Sequence, residues 1–186
     1  MPGAEPMTLD AAGWLRGCRH VLSANHDERP AGAEATLLVM HSISLPPGEY
    51  GGDAIERLFT NRLDPAAHPY FREVAALKVS AHFLVRRRGE VVQFVPVGRR
   101  AWHAGASIWR ARERCNDFSI GVELEGSDER RFAEAQYRSA CALIRVLRDA
   151  LPLRHVAAHS DIAPGRKTDP GRGFDWARLL GNLAQR

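Results

Sequence analysis

Short apolar runs alternate along this chain with segments of helical spacing. Ala35-Thr36-Leu37-Leu38-Val39-Met40 is almost continuously apolar over a strand's length, which predicts a strand buried on both faces. Asp53 then opens a helix in which Ile55, Leu58, Phe59 and Leu63 recur at helical spacing, and Asp64-Pro65 ends it. The stretches 79–85 and 91–95 read as a hairpin turning at Arg-Gly-Glu. Residues 119–126 alternate small or apolar with charged side chains, as a half-buried strand does, or an edge strand with a solvated face. Glu123 and Glu125 fall on one side of it. The strongest helix runs from Phe132 to Leu151, with Ala140, Leu143, Ile144, Leu147 and Leu151 in one stripe. A last helix carries Trp176, Leu179, Leu180 and Leu183 back onto the sheet.

Residues 1–34 are rich in Pro, Gly and Ala around one apolar group, Trp14, Leu15, Val21 and Leu22. They predict an irregular arm wrapping a domain over 35–186. Alternating strands and helices give the fold class, a single α/β domain whose central mixed sheet is flanked by helices.

A length of 186 residues suits one well-buried domain. No run reaches membrane-spanning length, and the opening Met-Pro-Gly-Ala-Glu-Pro lacks the apolar core of a signal peptide. Cys18, Cys115 and Cys141 are odd in number and without metal-like spacing, so free thiols in the cytoplasm are expected. The net charge of +4 favours an anionic partner. Arg86-Arg87-Arg88 is the one tight basic run, and at a hairpin turn it reads as a solvated tip. Neither nucleic acid nor membrane is therefore an expected partner.

The chemistry concentrates in 159–171, where Pro164, Pro170, Gly165 and Gly171 give a loop with a defined path. His159 and Asp169, brought to one point, are two ligands for a borderline cation such as zinc. Lys167 stands two residues before Asp169, where its charge could face substrate. The same loop also reads as a polar turn in which Asp169 caps and Lys167 is solvated. His41 weighs against that, because it ends the apolar run 35–40 as His159 ends 156–158. Ligands of open α/β sheets bind outside the carboxyl ends of strands. Two histidines and an aspartate leave a fourth zinc position open for water. His82, inside a predicted strand, reads as a buried and hydrogen-bonded histidine. Trp102, in the loop Trp102-His103-Ala104-Gly105, is either core or a ring stacking on a sugar.

The segments 41–48, 112–117, 120–126 and 159–171 together resemble the zinc-dependent N-acetylmuramoyl-L-alanine amidases, a family that includes phage amidases and peptidoglycan recognition proteins. The likeness runs from about Trp14 to the last helix and lies nearest the cytoplasmic members that act on 1,6-anhydro-muropeptides. It implies one zinc per chain on His41, His159 and Asp169, Glu123 as general base and Lys167 at the transition state. It further implies Lys78 and Arg114 as contacts for the anionic stem peptide, Trp102 at the sugar, and a monomer. Two positions depart from the common pattern: Ser42, where Asn is frequent, and Lys78, where Arg is frequent and would offer a planar fork. The implied reaction is hydrolysis of the amide between 1,6-anhydro-N-acetylmuramic acid and L-alanine during peptidoglycan recycling. An amidase acting on polymeric peptidoglycan and a non-catalytic peptidoglycan-binding module of the same fold are the competing readings.

Overall fold

The computed structural model describes residues 7–184. Its central sheet has six strands: β1 (Arg19–His20), β2 (Leu37–Ile43), β3 (Phe83–Val85), β4 (Val91–Gln93), β5 (Ser119–Glu125) and β6 (His155–Ala158). They lie in the order β6-β2-β5-β3-β4-β1. From β6 to β3 neighbouring strands are parallel, β4 returns antiparallel to β3, and β1 runs parallel to β4. The sheet is mixed, as the alternation of elements predicts. The helices are α1 (Ala54–Phe59), α2 (Phe71–Val74), α3 (Glu134–Ala150), α4 (His159–Ile162) and α5 (Trp176–Ala184).

Alternation along the strands sorts side chains to two faces. Leu38 and Met40 of β2, with Ile120, Val122 and Leu124 of β5, pack against the α3 stripe Ala140, Leu143, Ile144 and Leu147. Each buried Leu, Ile, Val or Met side chain here contributes about 2 kcal/mol. On the opposite face Leu37 and Val39 meet Phe118 and Ala157, while Ile55, Leu58 and Phe59 of α1 cover Leu84, Val92 and Phe94. No helix among the described residues is long and apolar enough to cross a membrane.

Several expectations are corrected. The described part of the N-terminal arm is not wholly irregular, since β1 pairs with β4 at the sheet edge and His26–Glu28 pairs with Arg99–Ala101; residues 1–6 lie outside the described ones. Leu15 is fully buried, yet Leu22 is exposed, so only part of the expected anchor group anchors. α1 stops at Phe59 and the chain turns at Asn61 with φ +58°, so Leu63 reaches the core from outside the helix. β5 is buried along its whole length, because it lies between β2 and β3. Leu180 is exposed, leaving Leu179 as the buried residue of α5. The basic run at 86–88 is a solvated tip only at Arg88, which is exposed: Arg86 is half-buried against Glu56 and Glu125, and Arg87 donates to the Arg131 carbonyl and Gln136. A buried Glu125 needs a counter-charge, and Arg86 supplies it.

His82 is the buried, satisfied histidine expected of its position. Its Nδ1 accepts from the Gly121 N–H at 3.0 Å and its Nε2 donates to the Arg99 carbonyl at 3.0 Å. Burial, then the charge of Arg29, lowers its pKa from 6.5 to about 3. The folded value is depressed, so the stability it contributes is present above 6.5 and is lost as pH falls toward 3. His82→Leu leaves two buried backbone groups without partners and should cost about 2–4 kcal/mol at neutral pH. Urea unfolding across pH should show that deficit narrowing below pH 6.5; a constant deficit would mean the imidazole does not stay neutral in the fold.

Candidate metal centre

Three parallel strands deliver the site. β2 and β5 are registered with His41 beside Glu123, and β6 pairs Ala158 with Met40, so His159 follows level with His41. His159 opens the single turn of α4, which corrects the expectation of a loop from that residue onward. The chain then doubles back. Gly165 and Gly171 take φ of +74° and +77°, and the Ser160 N–H donates to the Asp169 carbonyl at 3.1 Å. Positive φ at both glycines is what lets so short a segment return. Asp128 holds the returning loop from outside, accepting from Ser42 Oγ at 3.3 Å and from Thr168 Oγ1. An added Cβ at Gly171 would collide with the Asp128 backbone, so the approach there requires glycine.

His41 Nδ1 and His159 Nδ1 face each other at 2.9 Å, and Asp169 Oδ2 lies 3.2 and 3.0 Å from them. All three ligand atoms fall within 4.8 Å of one another, a group that could hold a metal ion. The outer nitrogens support this. His159 Nε2 lies 3.1 Å from the Ala104 carbonyl, which only accepts, so the ring proton sits there and the Nδ1 lone pair turns inward. Two inward nitrogens and a carboxylate oxygen suit a borderline cation.

Burial, opposed by the Asp169 hydrogen bond, lowers the His41 pKa to about 4, which keeps the ring neutral and able to ligate. The partial burial of Asp169 would raise its pKa, but the His159 and His41 hydrogen bonds outweigh this and hold it ionised. Burial pushes Glu123 well up, with Asp169 adding to the rise and Lys167 opposing it. Its Oε2 is buried and has no protein partner. A cavity of 540 Å³ opens over these groups; Glu123, Trp102 and Lys167 line it, together with an apolar wall that includes Tyr70, Val74 and Leu77.

The other expected residues are spread around this centre. Trp102 borders the cavity while its Nε1 donates to Asp27 at 3.2 Å, so it is neither wholly core nor free. Lys78 is exposed on a smaller adjoining hollow shared with Trp102, His103 and Lys167. Arg114 is not brought to the cavity. It lines a third hollow with Ile108, Ile162 and Pro164, and its Nε pairs with Asp117 at 3.3 Å. His103, Asn116 and Arg166 were not among the expected site residues, yet they surround the histidines. The signal that could have found them is Gly121, a glycine inside a buried strand, which marks a close approach.

Glu123 and Glu125 share a face but not an environment. Glu125 accepts from the Gly51 N–H at 2.6 Å, the Arg87 N–H at 3.1 Å and Arg86 Nη1 at 3.3 Å. It is fully occupied, whereas Glu123 faces the cavity.

The family model for N-acetylmuramoyl-L-alanine amidase matches residues 31–172. The 1,6-anhydro-N-acetylmuramyl-L-alanine amidase AmpD of Escherichia coli (strain K12) is 57% identical over 169 residues, 90% of this chain and 92% of that protein. The fold is similar to that of the crystal structure of a Se-Met AmpD derivative, with TM-score 0.93 and 52% identity over 95% of this chain and 99% of the other. It is also similar to the amidase AmiD from E. coli in complex with anhydro-N-acetylmuramic acid-L-Ala-D-gamma-Glu-L-Lys, with TM-score 0.60 and 26% identity over 95% of this chain and 65% of that one.

The occupied state of Glu125 makes a stability prediction. Glu125→Leu strands two N–H groups and removes one of the carboxylates paired with Arg86, and should cost about 3–5 kcal/mol. Glu125→Gln, which keeps one acceptor oxygen, should cost roughly half as much. Denaturant unfolding of the two variants reads this directly, and equal losses would refute the assigned partners.

Proposed function

The chain belongs to the N-acetylmuramoyl-L-alanine amidase family, and from that premise we propose that it hydrolyses the amide joining 1,6-anhydro-N-acetylmuramic acid to L-alanine of the stem peptide, in peptidoglycan recycling. The observation that carries this is identity of 57% to an amidase of that specificity along nine-tenths of the chain. The convergence of His41, His159 and Asp169 beside an unpartnered Glu123 supports a hydrolytic site over a binding module. Its work would be done in the cytoplasm, in keeping with three unpaired cysteines, and by a monomer, since one chain supplies every group named.

His41, His159 and Asp169 would hold one zinc ion. When bound there, zinc lowers the pKa of water and polarises a carbonyl oxygen. Glu123 takes the proton of the attacking water at its free carboxylate oxygen, as a C–O bond forms at the lactyl carbonyl. It then hands that proton to the leaving nitrogen as the C–N bond breaks, releasing the peptide amine. Burial raises the Glu123 pKa above the ordinary carboxylate range, which favours its holding the proton between the two transfers. Lys167, exposed on the cavity rim, faces the charge that develops on the carbonyl oxygen. Trp102 offers a ring to the sugar, and Lys78 and Arg114 offer charge to the stem-peptide carboxylates.

The test digests purified anhydro-muropeptide and intact sacculi in parallel and identifies products by mass. Free anhydro-sugar and stem peptide should appear from the first substrate, and attack confined to sacculi would overturn the reading. Glu123→Ala should lose about 10²–10⁴ in kcat while keeping its metal content; a folded, metal-loaded variant with near-normal turnover would remove Glu123 from the reaction.

For the cations, Lys78→Ala and Arg114→Ala should each raise KM more than they lower kcat, the mark of lost uniform binding. Arg114 is the sharper case, because it lies outside the main cavity. Unchanged KM in both variants would reduce them to solvated surface.

A further inference from the structure

We infer that His103 is a positioning residue that orients the His41 imidazole and fixes its proton, with the adjoining Ala104 carbonyl doing the same for His159. The inference rests on the reading that His41, His159 and Asp169 hold zinc, and adds a residue that never touches the ion.

His41 Nε2 lies 2.9 Å from His103 Nδ1, and His103 Nε2 lies 3.1 Å from Ser119 Oγ. With His41 ligating through Nδ1, its proton must sit on Nε2, and His103 Nδ1 is the acceptor waiting for it. The His103 proton then belongs on Nε2, directed at Ser119. The result is a one-way chain from ligand to strand. Imidazole ligands of metals generally pass their outer N–H to such an acceptor, which sets tautomer and ring angle and raises ligand basicity. The acceptor is usually a carboxylate, a carbonyl or water. Here one histidine uses a carbonyl, at Ala104, and the other uses a second histidine.

The segment that carries both acceptors is fixed on every side. Asn116 Oδ1 accepts from the N–H groups of His103 and Ala104 at 3.1 and 2.8 Å. Arg166 Nη2 donates to the carbonyls of Ala104 and Ala106 at 2.7 and 2.6 Å. The ring of His103 is seated over Gly121 in the middle of β5. An ideal Cβ at that position would come within 2.7 Å of His103 Nδ1, so the strand yields a side chain to admit the imidazole. A glycine in a strand interior weakens it, and this one has no positive φ to justify it. Close approach of His103 is the physical reason for its presence. Gly121 therefore serves as an independent handle on His103, one that removes no polar atom.

Activity cannot separate positioning from substrate contact, because His103 also borders the cavity. Metal binding without substrate can. Zinc affinity is measured by competition with a chromophoric chelator for the wild-type protein, His103→Ala, His103→Asn and Gly121→Ala. The visible spectrum of each cobalt-loaded protein and the melting temperature of each metal-free protein are recorded alongside. His103→Ala should weaken zinc binding about 10–100-fold and alter the cobalt bands. His103→Asn, whose Oδ1 replaces the Nδ1 acceptor, should recover most of that loss. Gly121→Ala should weaken zinc in the same sense, and adding it to His103→Ala should cost little more. Zinc affinity in folded His103→Ala within roughly threefold of wild type, with unchanged cobalt bands, would overturn the inference. If His103→Ala does not fold, unchanged affinity in both Gly121→Ala and His103→Asn overturns it equally, since neither the displaced ring nor the replaced acceptor would then matter. Wild-type protein that binds no zinc would refute the metal reading itself, and this inference with it.

Discussion

Everything at the site depends on the register of three parallel strands. His41, Glu123 and the residue after Ala158 stand level only because β2, β5 and β6 are aligned as they are. A slip of one residue in β5 would turn Glu123 to the α3 face and bring Val122 or Leu124 into the cavity. What prevents the slip is the core: Leu38, Met40, Ile120, Val122 and Leu124 are completely buried against α3, and exposing them would cost several kcal/mol. The apolar face of the sheet thus aims the polar one. Chemistry and stability share the same strands, with alternate residues assigned to each.

The loops around the cavity are tied to that frame by buried charge. Glu125 binds the Gly51 N–H and Arg86, and Arg86 reaches on to the Gly52 carbonyl and Glu56. Glu56 in turn accepts from Arg19 at the far edge strand, and that hydrogen bond foremost holds its pKa at about 2. One connected series of ion pairs therefore runs from β1, through α1, to the end of β5. Breaking it in the middle would strand a charge, which costs more than the pairing itself contributes. On the other rim Asp128 does a similar service for the loop bearing Lys167 and Asp169.

Periodicity alone makes the sheet, α3 and the buried state of His82 legible, because burial patterns with periods of two and 3.6 are local properties. The three converging ligands are legible too, since the apolar runs before His41 and His159 and loop residues such as Gly165 and Gly171 are visible along the chain, although β2 continues two residues past His41 to Ile43. Glu123 and Glu125 mark where this stops. Both occupy the same face, and nothing within 119–126 distinguishes them. The difference comes from Arg86 and Gly51, which are remote in sequence and adjacent in space. The reading of 86–88 as a solvated tip holds for Arg88 but not for Arg86, for the same reason, as the partners of Arg86 lie on another strand and on α1. His103 went unnoticed because a histidine after a tryptophan in a loop carries no pattern of its own.

The distribution of positive charge bears on what the molecule binds. A net charge of +4 is compatible with nucleic acid, which demands a run of cations free to neutralise successive phosphates. Here many guanidiniums are occupied internally. Arg100 lies between Asp27 and Asp117, Arg19 between Glu56 and Glu90, and Arg29 donates to the carbonyls of Asn116, Asp117, Val97 and Ser119. The exposed Lys78 and Lys167 sit instead around hollows beside the histidines, and Arg114 on a further hollow that has no histidine in its lining. Arg166 forms a wall common to the Lys78 and Arg114 hollows, its side chain committed to the backbone of 104–106. Cations placed this way match a short ligand with a few carboxylates better than a polymer with evenly spaced ones. The arginine that holds residues 104–106 is then also the partition between the two hollows.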